Sequence, residues 1–392
     1  MGHVVMGLLF FPRGGAAQVA RYLSIALADA DWSVGLVAGS LGEQGQLSHA
    51  PTFFAGTPLQ HLDYTAAARS FEAGGSAIAA PVPMHPSYED RGDAPDVVFA
   101  AVPDALVDHL SSVWEDPLRA AGADRADVFH LHHLTPQHDA VARHWPEGAV
   151  VAHLHGTEIK FLEAVAERAA LAAAVGTTLA DMPAWARQHP DGAPGLDEAQ
   201  RSLLVSGRWE QWQHGGAWHD RLLRQAAAAD HLVVVSPTER MHAAEILHAD
   251  PDRVTDVPNG VDVERFRPRP ELRAARRSMS RRWLVEDPQG WDETAVPGTV
   301  AYREDDLDRL LGVADDACVL TFVGRYTTPK RLPVLLRAFA LAQPRFDGPA
   351  SLLIWGGYPG EVEGEHPVTT ARRLRVDEVF FAGWRGHEDL PD

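Results

Sequence analysis

Lysine is nearly absent from this chain of 392 residues. Lys160 and Lys330 are the only two, and every other basic side chain is arginine. Cysteine is scarcer still, and the single Cys318 excludes an internal disulfide and any cysteine-cluster zinc site. Cations are in deficit overall: 35 Lys+Arg stand against 54 Asp+Glu, a formal net charge of −19. Such a polyanion is a poor general partner for nucleic acid, whose phosphates need surplus cations. No apolar run approaches the ~20 residues that a membrane helix needs. No positive residue precedes the first apolar stretch, MGHVVMGLLFF, and Arg13 follows it, so this stretch is expected to be a buried strand rather than a secretory signal. Met6 breaks the myristoylation pattern. A soluble cytoplasmic protein is expected. There is neither a GxGxxG dinucleotide fingerprint nor a full P-loop.

What is present is ordinary globular material, with 45% apolar and 23% charged residues. The length predicts two or three domains, each able to bury a core. Short apolar runs alternate with helical stripes. Strands are expected at His3–Phe10, Trp32–Ala38, Asp127–Leu131, Ala149–Leu154, His231–Val235, Val319–Val323, Ser351–Trp355 and Val379–Phe381. Helices are expected at Ala16–Ala30, Ile159–Ala174, Pro237–Leu247 and Leu332–Ala342. The alternation predicts an α/β fold with parallel sheets. Residues 43–126, rich in Gly, Pro and Ala, read as an irregular insertion or flap. The turn Val257-Pro258-Asn259-Gly260 marks the junction between a domain 1–258 and a domain 259–392. Ser236-Pro237-Thr238-Glu239 reads as a capping box with proline at the first helical position.

Several clusters could carry chemistry. Arg13-Gly14-Gly15 joins the first strand to the first helix, where bare backbone N–H groups attract anions. His130, His132 and His133 end one strand, and His153 and His155 end another. Positions i and i+2 of a strand share a face, so these rings form a candidate imidazole metal site. With 20 histidines in the chain, chance pairs are expected, and no metal is assigned. His155-Gly156-Thr157-Glu158 falls where a strand gives way to a helix, the place where ligands collect in open α/β sheets. Gly324-Arg325-Tyr326-Thr327-Thr328-Pro329-Lys330 follows another strand, and its two cations suit a diphosphate. Both lysines of the chain therefore fall in site-like motifs. The arginines from Arg265 to Arg282, with Arg273, Arg276 or Arg277, and Arg281 at helical spacing, could face an anionic membrane, a phosphorylated acceptor or, as a solvated helix face, water. Trp209, Trp212 and Trp218 could stack on a sugar or pack against a helix.

The order of these motifs resembles the retaining GT-B glycosyltransferases of the family-four type. The resemblance rests on LLFFPRGGAAQVARYLSIALADADWSVGLVAG, DVFHLHH, VVAHLHGTE, HLVVVSPTERMHAAEIL, VPNGVDVERFRP, LTFVGRYTTPKRLPVLLRAFA, LLIWGG and VFFAGW, about half the chain. It implies two Rossmann-like domains and a nucleotide-diphosphate-sugar donor bound mainly by the second. Arg325 and Lys330 match the positions that hold the donor diphosphate, and His155 matches the histidine beside the donor sugar; Glu158, from the His-Gly-Thr-Glu motif, is expected to contact the substrate. Gly14 and Gly15 match the glycine turn near phosphate and acceptor. Asn259 and Gly260 match the inter-domain turn, and Gly356 and Gly357 match the loop beside the nucleotide. The resemblance implies no metal and no cofactor other than the donor, and a small-molecule, lipid or glycan acceptor. The family's glutamate pair would follow Asp392, so the second domain is expected to be incomplete. Glu361, Glu363 and Glu365 lie in a Gly-rich turn and are not its equivalents. Two other functions remain open: a metal-dependent hydrolase using His130, His132, His153 and His155, and a non-catalytic sugar-nucleotide-binding protein.

Overall fold

Among the described residues, ten strands, all in parallel ladders, organise the chain in two sheets. The computed structural model describes residues 2–391 except 93, 191, 387 and 388; the side chains of 270–274 lie outside the description. The described chain divides into two compact units, Met1–Gly260 and Val261–Asp392.

The first unit holds β1 (His3–Leu8), β2 (Ser33–Ser40), β3 (Leu59–Asp63), β4 (Val128–His132), β5 (Val150–His153), β6 (His231–Val234) and β7 (Val254–Asp256). Their order is β3-β2-β1-β4-β5-β6-β7, so the strand sequence reverses between β1 and β4. β1 is buried along its whole length, which explains a continuous apolar run rather than an alternating one. The principal helices are α1 (Gly14–Asp29), α2 (Pro136–His144), α3 (Thr157–Ala174), α4 (Gly215–Ala228) and α5 (Pro237–Ile246). Ala17 and Ala20 of α1 are buried with Val4, Met6, Leu8 and Leu36, because alanine lets the helix approach the sheet closely.

Residues 43–126 are not a flap. They supply the edge strand β3, paired with β2, and much of the core: Tyr64, Met84, Tyr88, Phe99 and Trp114 are all buried. The Gly- and Pro-rich composition hides this, because the apolar side chains arrive from short irregular segments with no period. Trp209, Trp212 and Trp218 are likewise core. The Trp218 indole donates to Val102 O at 2.8 Å, and Trp212 carries the Arg168 guanidinium 3.8 Å from its ring centroid. That rules them out as a sugar platform.

The second unit holds β8 (Cys318–Val323), β9 (Ala350–Trp355) and β10 (Val379–Gly383) in the order β10-β9-β8, with α6 (Pro270–Arg281), α7 (Leu332–Ala342) and α8 (Pro367–Leu374). Its core joins Trp291, Tyr326, Leu336, Phe339, Ile354 and Phe381. Three arginines of α6 bond within the unit. Arg277 pairs with Asp308 at 2.9 Å and with Asp315 at 2.8 Å, Arg281 pairs with Glu304, and Arg276 donates to Ala317 O. Arg277 and Arg281 are thus paired with acids of the same unit, and Arg276 with a backbone carbonyl. The Arg273 side chain lies outside the described residues. Among the described residues no helix is long and apolar enough to cross a membrane.

Candidate functional site

Because the first sheet is parallel, all its strands deliver their following loops to one edge. The loops after β1, β4 and β5, adjacent in the sheet, carry Arg13-Gly14-Gly15, His133 and His155. Ring contacts join them: Phe10 meets His133 edge-on at 5.0 Å between centroids, and His133 meets His155 at 4.6 Å. This is the reversal point of the strand order, where a crevice forms in open α/β sheets.

The α1 N-terminus is bare. Its N-cap, Arg13, makes no side-chain capping bond, and the first turn contains no acid. Gly14 has φ +70° with open space where a Cβ would stand. Exposed helix N–H groups without a cap favour an anion. Arg13 is held aside by Asp96, 2.5 Å away, which also receives Arg91 at 2.7 Å. Burial alone would raise the Asp96 carboxyl, but Arg13, His85 and Arg91 outweigh it and hold it below the usual range.

The β5–α3 turn is built on Gly156, at φ +81°. A Cβ there would stand 2.5 Å from Glu239 Oε1. Glu239 is itself fixed as the third residue of α5. Its backbone N–H donates to Ser236 Oγ at 3.2 Å, and its carboxylate receives Val235 N at 3.2 Å. The expected cap at Ser236 is thus present, with the glutamate reaching one residue further back than in a full box.

Glu158 lies under the site, not facing it. Its side chain is 0% exposed, accepts from His133 Nδ1 at 2.6 Å and receives the His155 backbone N–H at 3.2 Å. Burial pushes its carboxyl upward, but His133 and the backbone donors prevail and hold it below the ordinary glutamate value. A substrate contact by Glu158, as the sequence suggests, is therefore replaced by an internal role: it positions His133 and His155. His133 takes φ +65° to make the contact. His155 is half-buried, and its Nε2 shares a 3.0 Å hydrogen bond with His132 Nδ1. Burial, then the neighbouring His133, lowers His155 well below the usual histidine range, so it is neutral at pH 7.

In the second unit, Gly324 follows β8 and Gly356-Gly357 follows β9. Gly356 N donates to Gly383 O at 2.8 Å, and Gly357 N donates to Gly324 O at 3.1 Å, so the three strand ends are laced together. A Cβ on Gly356, at φ +114°, would stand 2.4 Å from Gly324 O, so glycine is required there. Arg325 and Lys330 are both exposed, on the loop from β8 to α7. Glu363 caps this loop by accepting Thr328 N at 2.8 Å, and Glu365 is occupied by Arg373 and Thr370. Asn259 and Gly260 are exposed at the end of the first unit. Sequence reasoning missed Glu239, Asp96 and the true place of Glu158. Only Glu239 left a signal, as the glutamate of the capping motif.

No protein-family model matches the chain. Curated proteins similar to it are glycosyltransferases by name. D-inositol 3-phosphate glycosyltransferase 2 of Catenulispora acidiphila is 32% identical over 157 residues, 39% of this chain and 29% of that protein. D-inositol 3-phosphate glycosyltransferase of Thermomonospora curvata is 36% identical over 115 residues, 29% of this chain and 20% of that protein. The matches span less than a third of these relatives. Among solved structures, Anabaena Alr3699/HepE in complex with UDP-glucose aligns over 100% of this chain and 71% of that one, at 11% identity and a TM-score of 0.47. The lipopolysaccharide outer core galactosyltransferase WaaB aligns over 98% of this chain and 69% of that one, at 10% identity and a TM-score of 0.43.

Proposed function

We propose that the chain serves a glycosyltransferase that moves a hexosyl group from a nucleotide-diphosphate sugar to an acceptor hydroxyl, with retention of configuration. The observation that carries the reading is the edge of the first sheet. There, a bare helix N-terminus at Gly14-Gly15 and a positioned neutral His155 flank the point where the strand order reverses. The named glycosyltransferases at 32% and 36% identity support the same class. In the transfer, the bond from the anomeric carbon to the diphosphate breaks and a bond to the acceptor oxygen forms. The hydroxyl proton leaves with the diphosphate. Negative charge grows on the leaving group, and Arg325 and Lys330 stabilise it. His155 hydrogen-bonds the sugar or the acceptor hydroxyl. This chemistry calls for no metal, because the two side-chain cations supply the charge.

A hydrolase built on the histidine cluster is less well supported. It would need a carboxylate to activate water, and Glu158, the acid beside the cluster, is committed to His133. A thermal-shift screen against UDP, GDP and ADP identifies the base. The matching nucleotide sugar is then the substrate for a turnover assay of Arg325→Ala. Removing one donor to the developing charge of the leaving group costs ~2.7–4 kcal/mol, so turnover is expected to fall about a hundredfold or more. An unchanged kcat/KM contradicts the assignment. Nucleotide binding without transfer would identify the non-catalytic binding protein instead.

A further inference from the structure

β4 and β5 run parallel with His132 paired directly to His153. Alternation along each strand then places His130, His132 and His153 on one face. The rings crowd there: centroids of His132 and His153 are 5.1 Å apart, as are those of His130 and His132. One nitrogen from each of the three rings lies within 4.8 Å of the other two. His130 Nε2 and His153 Nδ1 are already 3.1 Å apart. Nitrogens around a tetrahedral zinc stand about 3.3 Å apart, given Zn–N bonds of about 2.0–2.1 Å. Small ring rotations therefore bring this set to ligand spacing.

Two further observations point to a ligand. His132 is 0% exposed and His153 is 4% exposed, and the Nε2 atom of each is buried with no hydrogen-bond partner among the described residues. A buried polar atom left unpaired costs about 1–3 kcal/mol, so each of the two calls for a partner. The opposite nitrogen of His132, Nδ1, is already fixed by His155 at 3.0 Å, outside the ligand set. Such an outer partner is how a ligating imidazole is normally held in one tautomer. The donors are all imidazole, with no free carboxylate among them. This suits zinc, nickel and cobalt and disfavours calcium or magnesium, which take oxygen.

We propose that His130, His132 and His153 bind one divalent transition-metal ion of the zinc–nickel–cobalt class. The ion clamps the carboxyl ends of β4 and β5 and steadies His132, the hydrogen-bond partner of His155. The site is independent of the glycosyl-transfer reading.

The test uses the full chain, stripped with EDTA and dialysed against Co²⁺ alone, read by equilibrium dialysis and by visible absorption. Wild type is expected to retain one equivalent and to show the intense visible bands of low-coordinate Co²⁺. His130→Gln, at a half-buried position, and His153→Gln are expected to bind at least tenfold more weakly and to lose those bands. Circular dichroism confirms that each variant is folded. Should His153→Gln not fold, the His130→Gln comparison decides, together with a thermal shift by Zn²⁺ present in wild type and absent in that variant. No retained Co²⁺ in wild type overturns the proposal. So does retention with an unchanged spectrum in His130→Gln, which would place the ion on other histidines.

Discussion

Gly156 shows how one residue sets a strand end. Its φ of +81° is a conformation that costs an L side chain roughly 1–2 kcal/mol. A Cβ would also press on Glu239 at 2.5 Å. Gly156→Ala is therefore expected to lower the stability of the first unit by at least about 2 kcal/mol, read as a drop in urea midpoint at unchanged slope. A variant as stable as wild type would mean that the turn relaxes freely. Glu158 makes a second residue-scale case. A hydrogen bond to a buried carboxylate is worth about 1.5–3 kcal/mol. Glu158→Gln keeps the shape and loses the charge facing His133. A loss at the low end of that range is expected in denaturant unfolding, and no loss would remove the positioning role. His155 and the two glycines after β1 were legible in the sequence, because a polar motif at a strand–helix junction is visible in one dimension. The inward turn of Glu158 was not, since it depends on His133 from a different strand.

At the scale of elements, apolar period predicted the central strands well. His3–Phe10 is observed as His3–Leu8, and Val319–Val323 as Cys318–Val323. The helix Leu332–Ala342 is observed with the expected bounds. The sequence reading missed β3 and β7. Both are edge strands, and Leu59–Asp63 is mostly solvent-facing, so no apolar run marks it. The core of 43–126 was illegible for a related reason: its large side chains are gathered from turns and single-turn helices, which carry no period. The α5 cap was legible because capping is local chemistry. Ser236→Ala is expected to cost about 1 kcal/mol by exposing the Glu239 N–H. Because that N–H anchors Glu239 behind Gly156, chemical shifts at Gly156 and Thr157 should move as well. Unperturbed shifts there would uncouple the cap from the site.

At the scale of the whole molecule, the first unit carries a store of buried neutral histidines. Burial drives His85 down to about 3, with Arg13 adding to the effect, and burial drives His138 to about 4. An unfolded histidine titrates near 6.5, so the unfolded chain takes up protons first as the pH falls. Stability held above about pH 6.5 is then lost progressively toward pH 3–4. One such ring loses about 2 kcal/mol between pH 7 and 5. Thermal unfolding of the first unit is expected to shift down steeply over that interval, with His85→Asn reducing the steepness. A flat profile from pH 7 to 5 would contradict the buried-neutral description. The division into an α/β unit on each side of Gly260 gives each its own parallel sheet, and Arg325 and Lys330 stand on the loop after the first strand of the second unit.

The central claim is that Arg325 and Lys330 hold a pyrophosphate. Calorimetric titration of the nucleoside diphosphate chosen by the thermal-shift screen into the full chain tests it most directly. Arg325→Ala and Lys330→Ala should each weaken binding tenfold or more, and the doubly substituted chain should bind no better than it binds the free nucleoside. Equal affinity in wild type and both variants would contradict the account.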